Sequence, residues 1–169
     1  SERYTISEPL GRGGMGCVYL ASMNALGGKQ VAVKEMELVQ GDPVEIQGAF
    51  KQFQTEATLL ANLDHPNLVA VTDFFVERDR YYLVMAYIAG QTLMQKLEAR
   101  GKPFEWAQVK PWGEVLCEVL HYLHSQTPPI LFRDLKPSNV MIDDRGQLRL
   151  IDFGIARHGE AGSKTSTFL

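Results

Sequence analysis

The stretch that most constrains this 169-residue chain is Phe132-Arg133-Asp134-Leu135-Lys136-Pro137-Ser138-Asn139, followed by Asp152-Phe153-Gly154. A carboxylate at 134, a cation at 136 and an amide at 139 converge only where the backbone loops, which Pro137 favours. Such a loop offers a proton acceptor, a cation to neutralise phosphate and an oxygen ligand for a metal, the parts that phosphoryl transfer needs. Asp152 can add a second oxygen ligand for Mg²⁺, a hard cation that takes few protein carboxylates. Each residue alone is an ordinary loop residue; the ordered set is not.

The texture of the chain changes along its length. Tyr4, Ile6 and Leu10 lead into a glycine cluster, Val18 and Leu20 alternate after it, and Gln30-Val31-Ala32-Val33-Lys34 reads as a third strand. Phe50, Phe53, Ala57, Leu60 and Leu63 fall on one helical face with Glu56 in its midst, and Pro66 requires that helix to end by Asp64. Leu68–Phe75 and Tyr81–Tyr87 complete the expected strands. Beyond Gly90 the pattern turns helical. Leu93 and Leu97 mark a short helix, and Pro111 is placed to open a longer one carrying Val115, Leu116, Val119, Leu120 and Leu123 inward. Val140-Met141-Ile142 and Leu148-Arg149-Leu150-Ile151 read as a hairpin around Asp143-Asp144-Arg145-Gly146. The fold class is α+β, a strand-rich lobe and a helix-rich one joined near Ala86–Gly90.

Gly11, Gly13, Gly14 and Gly16 fit G-x-G-x-x-G with one extra glycine. A dinucleotide-binding turn requires a helix after the third glycine. Here Cys17-Val18-Tyr19-Leu20 continues with period two, so the expectation is strand, glycine loop, strand. Lys34 closes Val31-Ala32-Val33 and would normally be a solvated charge. With Glu56 on the next helix, it can form an ion pair that aims its ammonium at phosphate oxygens.

In this order the elements resemble the eukaryotic-type protein kinases: glycine loop, Val-Ala-Val-Lys, helix glutamate, Arg-Asp-Leu-Lys-Pro-x-Asn and Asp-Phe-Gly. The texture around Pro128–Asn139 and Ile151–Arg157 looks most like bacterial Ser/Thr kinases, cyanobacterial ones among them. The resemblance implies a five-stranded antiparallel N-lobe with its helix over residues 1–86, and a partial helical C-lobe over residues 87–169. It implies ATP and Mg²⁺ as cofactors and Ser or Thr of proteins as substrate. Gly11, Gly13, Gly14, Gly16 and Val18 would cover ATP, Lys34 would meet the α/β-phosphates and pair with Glu56, and Asp134 would be the base. Lys136 would touch the γ-phosphate, and Asn139 and Asp152 would hold Mg²⁺. Ala86 to Ile88 would be the hinge for adenine with Met85 as gatekeeper, and Val18, Ala32 and Met141 would sandwich the ring. Arg133 would receive a loop phosphate, with Ser163, Thr165, Ser166 and Thr167 as candidate sites.

Three positions depart from the family pattern. Phe132 stands where a histidine is usual, in a place that packs beneath the Asp-Phe-Gly phenylalanine beside residues matching Leu60 and Val71. Ala86 replaces an acidic residue but keeps its carbonyl. The sequence stops at Leu169, inside the expected activation segment, so an apolar face around Leu116, Val119, Leu120 and Leu123 is expected to invite self-association. The alternative is a nucleotide-binding scaffold without turnover. A net charge of −3 gives no reason to expect nucleic acid. Nothing at the N-terminus looks like a signal peptide, and no stretch is apolar enough to span a membrane. Cys17 and Cys117 form no framework and are expected reduced, in the cytoplasm, with Cys17 beside the nucleotide and Cys117 in the core.

Overall fold

The computed structural model describes residues 2–13, 16–37, 41–78 and 80–152, which fall into two units. The first comprises residues 2–63 and Ala70–Ile88. Alternating apolar side chains draw its strands into one antiparallel sheet: β1 (Tyr4–Gly13), β2 (Gly16–Met23), β3 (Lys29–Glu37), β4 (Val71–Glu77) and β5 (Arg80–Ala86). The spatial order is β1-β2-β3-β5-β4. No helix follows the glycine turn between β1 and β2, so the dinucleotide-turn alternative is excluded.

Helix α1 (Pro43–Ala61) starts where the Asp42 side chain accepts from the Val44 and Glu45 N–H groups at 2.8 and 2.9 Å. Glu45 returns the bond by accepting from the Asp42 N–H at 3.2 Å, and Pro43 needs no partner in the first turn. Phe53, Glu56, Ala57 and Leu60 are its buried face. Phe53 meets Phe74 edge-on at 5.8 Å and stacks on Tyr81 at 4.6 Å. Tyr81 pairs across the ladder with Met36, and Leu83 with Lys34. Directly opposed residues share a face, so α1 covers the side of the sheet that carries Lys34, Met36, Tyr81 and Leu83.

The other side holds Tyr4, Ala21, Val31, Val33 and Val84, flanked by Met23, Phe75 and Tyr82. There the two edge strands meet: Tyr4 stacks on Phe75 at 5.7 Å and donates its hydroxyl to Asp73 at 2.6 Å, and Arg3 pairs with Asp73 at 2.7 Å. Burial and the Asp73 bond push the Tyr4 phenol up to about 12. The sheet is therefore curled enough for β1 and β4 to share one core, an extreme of normal strand twist.

The second unit comprises Asp64–Val69 and residues 89–152. It contains β6 (Gly90–Thr92), α2 (Leu93–Arg100), α3 (Trp106–His124), β7 (Val140–Asp143) and β8 (Leu148–Leu150), with the strands ordered β6-β7-β8. Val119, Leu123 and Leu150 are fully buried. Asp64–Val69 is strapped on by four bonds: the Asp64 N–H to the Tyr122 hydroxyl, the Asn67 amide to the Leu148 carbonyl, Val69 to Leu150, and Leu150 back to Asn67. The hairpin turn is held by Asp143, which accepts from the Gln147, Arg145 and Arg149 N–H groups at 2.8, 3.0 and 3.2 Å. Those bonds, the Gln147 backbone bond foremost, hold its carboxyl below the usual range.

Several expectations need correction. Helix α3 opens at Trp106, not Pro111, because the Gln108 side chain accepts from the Glu105 N–H and caps an earlier start. Of the five residues expected inward only Val119 and Leu123 are buried, Val115, Leu116 and Leu120 are half-buried, and Cys117 is exposed rather than core. Strand β4 begins at Val71, since the backbone at 67–69 is spent on Leu150. Strand β6 lies where the pattern was expected to turn helical, and the helix starts only at Leu93. Among the described residues no helix is long and apolar enough to cross a membrane.

Leu123→Ala should cost about 2–5 kcal/mol in urea unfolding, the range for emptying a packed leucine site; a loss below 1 kcal/mol would contradict its place in the core. Asp143 has a lowered pKa in the folded state, so its contribution is present above the unfolded carboxylate value of about 3.9 and lost as pH falls through the folded value. Asp143→Asn should therefore flatten stability across that acid window, and an unchanged acid limb in a pH series of melts would exclude the effect.

Candidate active site

Among the described residues the buried polar or charged side chains are three: Lys34, Glu56 and Asn139, at 4, 9 and 5% exposure. All three were picked out by sequence for phosphate, pairing and metal. Burying such groups is costly without partners, so a fold rarely does it without chemical use.

In the first unit the ladder register puts the expected nucleotide groups on one face. Val18 opposes Lys34, Leu20 opposes Ala32, Ala32 opposes Met85 and Lys34 opposes Leu83. Val18, Ala32, Lys34 and Met85 thus share the side of the sheet that faces α1, where Glu56 lies one helical turn from Phe53. Gln52 donates to Glu56 at 3.0 Å and steadies the carboxylate. Cys17 opposes Glu35 and so lies on the other side, which corrects its expected place beside the nucleotide. At the end of β5 the Ala86 N–H is taken by the Ala70 carbonyl at 2.9 Å. Of the residues expected to form the hinge, Ala86 thus has its N–H already engaged.

The glycines of the loop divide into two kinds. Gly16 has φ +128°, and a Cβ there would overlap the Glu35 carbonyl, so the hairpin itself demands glycine. At Gly11 a Cβ would meet nothing within 4 Å and φ is ordinary. Among the described residues, nothing demands glycine at 11. Gly13 ends β1, and Gly14 lies outside the described residues.

In the second unit the loop from Phe132 to Asn139 is drawn together by its own side chains. The Asn139 amide donates to the Asp134 carbonyl at 2.9 Å and to its Oδ2 at 3.1 Å, and Lys136 Nζ lies 2.8 Å from the same oxygen. A 3₁₀ turn, Pro137–Asn139, follows, with the Asn139 N–H on the Lys136 carbonyl. Because Asn139 turns its nitrogen to Asp134, its oxygen is the end presented elsewhere. The Ile151 N–H donates to the Asn139 carbonyl at 2.9 Å, which brings Asp152 to the same neighbourhood. Arg133 and Asp152 hold φ of +54° and +62°, left-handed values that non-glycine residues keep only where surrounding structure imposes them. Phe132 is 3% exposed, so the phenylalanine fills its place in this unit's core. Met141 is half-buried on β7, opposite Thr92 and Arg149.

Among the described residues no cluster of three or more His, Cys, Asp or Glu could hold a metal unaided. An amide oxygen and one or two carboxylates suit Mg²⁺, which takes its remaining ligands from water and phosphate, so the residues present fit that ion. Phe153, Gly154 and the hydroxyls Ser163, Thr165, Ser166 and Thr167 lie outside the described residues.

The sequence matches the protein kinase domain over residues 4–169. It is 35% identical over 156 residues to the serine/threonine-protein kinase PrkC of Bacillus subtilis, covering 92% of this chain and 23% of that protein. It is 36% identical over 154 residues to the receptor-like kinase LIP2 of Arabidopsis thaliana, covering 89% of this chain and 26% of that one. With the serine/threonine-protein kinase pkn2 of Myxococcus xanthus it shares 38% over 167 residues, 97% of this chain and 19% of that protein. The chain thus spans about a quarter or less of these relatives' length. A curled five-stranded sheet with a buried lysine, a looped Asp-Lys-Asn triad and this match agree: the chain belongs to the protein kinase domain family.

Proposed function

We propose that this chain is the nucleotide- and catalytic-loop part of an enzyme that transfers the γ-phosphate of ATP to Ser or Thr of proteins. Protein kinase domains use ATP with Mg²⁺ as phosphoryl donor. The observation that carries the reading is the triad in the loop: two donors, Lys136 and Asn139, fall on one oxygen of Asp134 and fix the plane of its carboxylate.

In this reading Lys34, held by Glu56, binds the α/β-phosphates, and Gly11, Gly13, Gly14, Gly16 and Val18 cover them. Val18, Ala32 and Met141 sandwich adenine, Met85 borders it, and the backbone from Ala86 to Ile88 reads its edge. Asp134 orients the acceptor hydroxyl and takes its proton as the new phosphorus–oxygen bond forms and the bond from the γ-phosphorus to the β–γ bridging oxygen breaks, with ADP leaving. Lys136 moves its charge toward the γ-phosphate. Asn139 and Asp152 would hold Mg²⁺, which offsets phosphate charge when bound. The names serine/threonine-protein kinase of the bacterial relatives support the acceptor class. Two free thiols, Cys17 and Cys117, together with a reaction that consumes ATP, support a cytoplasmic setting for this reading.

Phosphate transfer from labelled Mg²⁺-ATP to a generic basic protein should fall by about 10²–10⁴ in Asp134→Asn, with ATP binding retained. Equal transfer by the variant would remove Asp134 as base; ATP binding with no transfer by either protein would favour the scaffold. The two glycines separate fold from function. Gly16→Ala should cost about 1–3 kcal/mol of stability through its backbone angle alone. Gly11→Ala should stay within about 0.5 kcal/mol in a melt and weaken ATP binding. A Gly11→Ala chain that binds ATP as the parent does would refute the covering role.

A further inference from the structure

The contact between α1 and the sheet contains one group that packing alone does not explain. Tyr81 is 5% exposed, stacked on Phe53 at 4.6 Å and on Phe50 at 6.3 Å, and opposite the buried Met36. Its hydroxyl has no accessible surface and, among the described residues, no hydrogen-bond partner. Burial alone raises its pKa, with no bonding group among the causes. Tyr82 next to it gives its hydroxyl to Glu35 at 3.1 Å, and Tyr4 gives its own to Asp73. Of the three tyrosines in this sheet's cores, only Tyr81 is left unsatisfied.

A phenylalanine would supply the same ring without stranding a donor. The hydroxyl is penalised only while α1 lies over Tyr81, because release of the helix returns it to water. The penalty therefore falls on the same arrangement that holds Glu56 to the Lys34 side of the sheet. We infer that Tyr81 is a positioning residue whose unsatisfied hydroxyl keeps the packed position of α1 shallow, so that Glu56 is presented to Lys34 for only part of the time. The inference rests on the proposed nucleotide role of that pair. A binding-competent state that is partly populated lowers apparent affinity in proportion to its population. ATP, which gains from the held lysine, would shift α1 toward the packed position.

Tyr81→Phe tests this, with hydrogen exchange of the α1 amides measured first without nucleotide. The unsatisfied group corresponds to about fivefold to a hundredfold in an equilibrium constant, so protection across residues 53–60 should rise by at least about fivefold. The ATP dissociation constant should fall. In a Glu56→Gln background the gain in protection should persist while the gain in affinity disappears. Unchanged or reduced protection in Tyr81→Phe would overturn the inference, because the hydroxyl must then have a partner such as a bound water. Raised protection with an unaltered ATP constant would leave Tyr81 in control of α1 and overturn its link to the nucleotide. If neither protein binds ATP at all, the proposed function fails, while the exchange result still decides the packing of α1.

Discussion

The burial of Lys34 is the constraint on which the first unit depends. Taking an ammonium out of water costs on the order of several kcal/mol unless anions share its site. The chain nevertheless puts this lysine in the middle of a ladder, between Val18 on one side and Leu83 on the other. The helix that covers it is aimed by aromatic packing, Phe53 against Phe74 and Tyr81, which brings Glu56 to the same side. The curl of the sheet is the counterpart on its far face, where Tyr4 and Arg3 of one edge close on Asp73 and Phe75 of the other. Apolar burial on both faces fixes the strand register, and register is what keeps Lys34, Ala32 and Met85 on one side.

Much of this was legible in the order of residues, and what escaped is informative. The strands around the glycine turn, the helix bearing Glu56 and the small hairpin follow from periodicity, a strong signal when one face is buried. Strand β6 was not readable, since Gly90-Gln91-Thr92 has no alternation and pairs only because β7 offers an edge. The start of α3 was misplaced because Pro111 is a louder signal than the Glu105–Gln108 cap. Much of α3 is polar or half-exposed, so periodicity overstated how many of its side chains turn inward. Of the candidate site, sequence pointed to Asp134, Lys136 and Asn139 but not to the bonds among them. That Asn139 and Lys136 meet on one oxygen of Asp134 is a property of the loop's path.

The loop in the second unit holds two residues in left-handed backbone, Arg133 and Asp152, and such positions cost on the order of 1–3 kcal/mol each. They persist because the loop is clamped from both ends. Asn139 ties it to Asp134 through its side chain and to Ile151 through its carbonyl, and Val140 and Leu150, just beyond, are buried partners on β7 and β8. Asn139, the third buried polar residue among those described, is thus the fastener of this loop as well as a metal-ligand candidate. Replacing its amide with an apolar group would remove its bonds to the Asp134 carbonyl and to Asp134 Oδ2 together, which ties the structural and chemical roles at that position to one another. Lys34 differs, for it sits in a ladder that pairs through the backbone, between Val18 and Leu83. Its burial therefore points to chemistry more directly than that of Asn139.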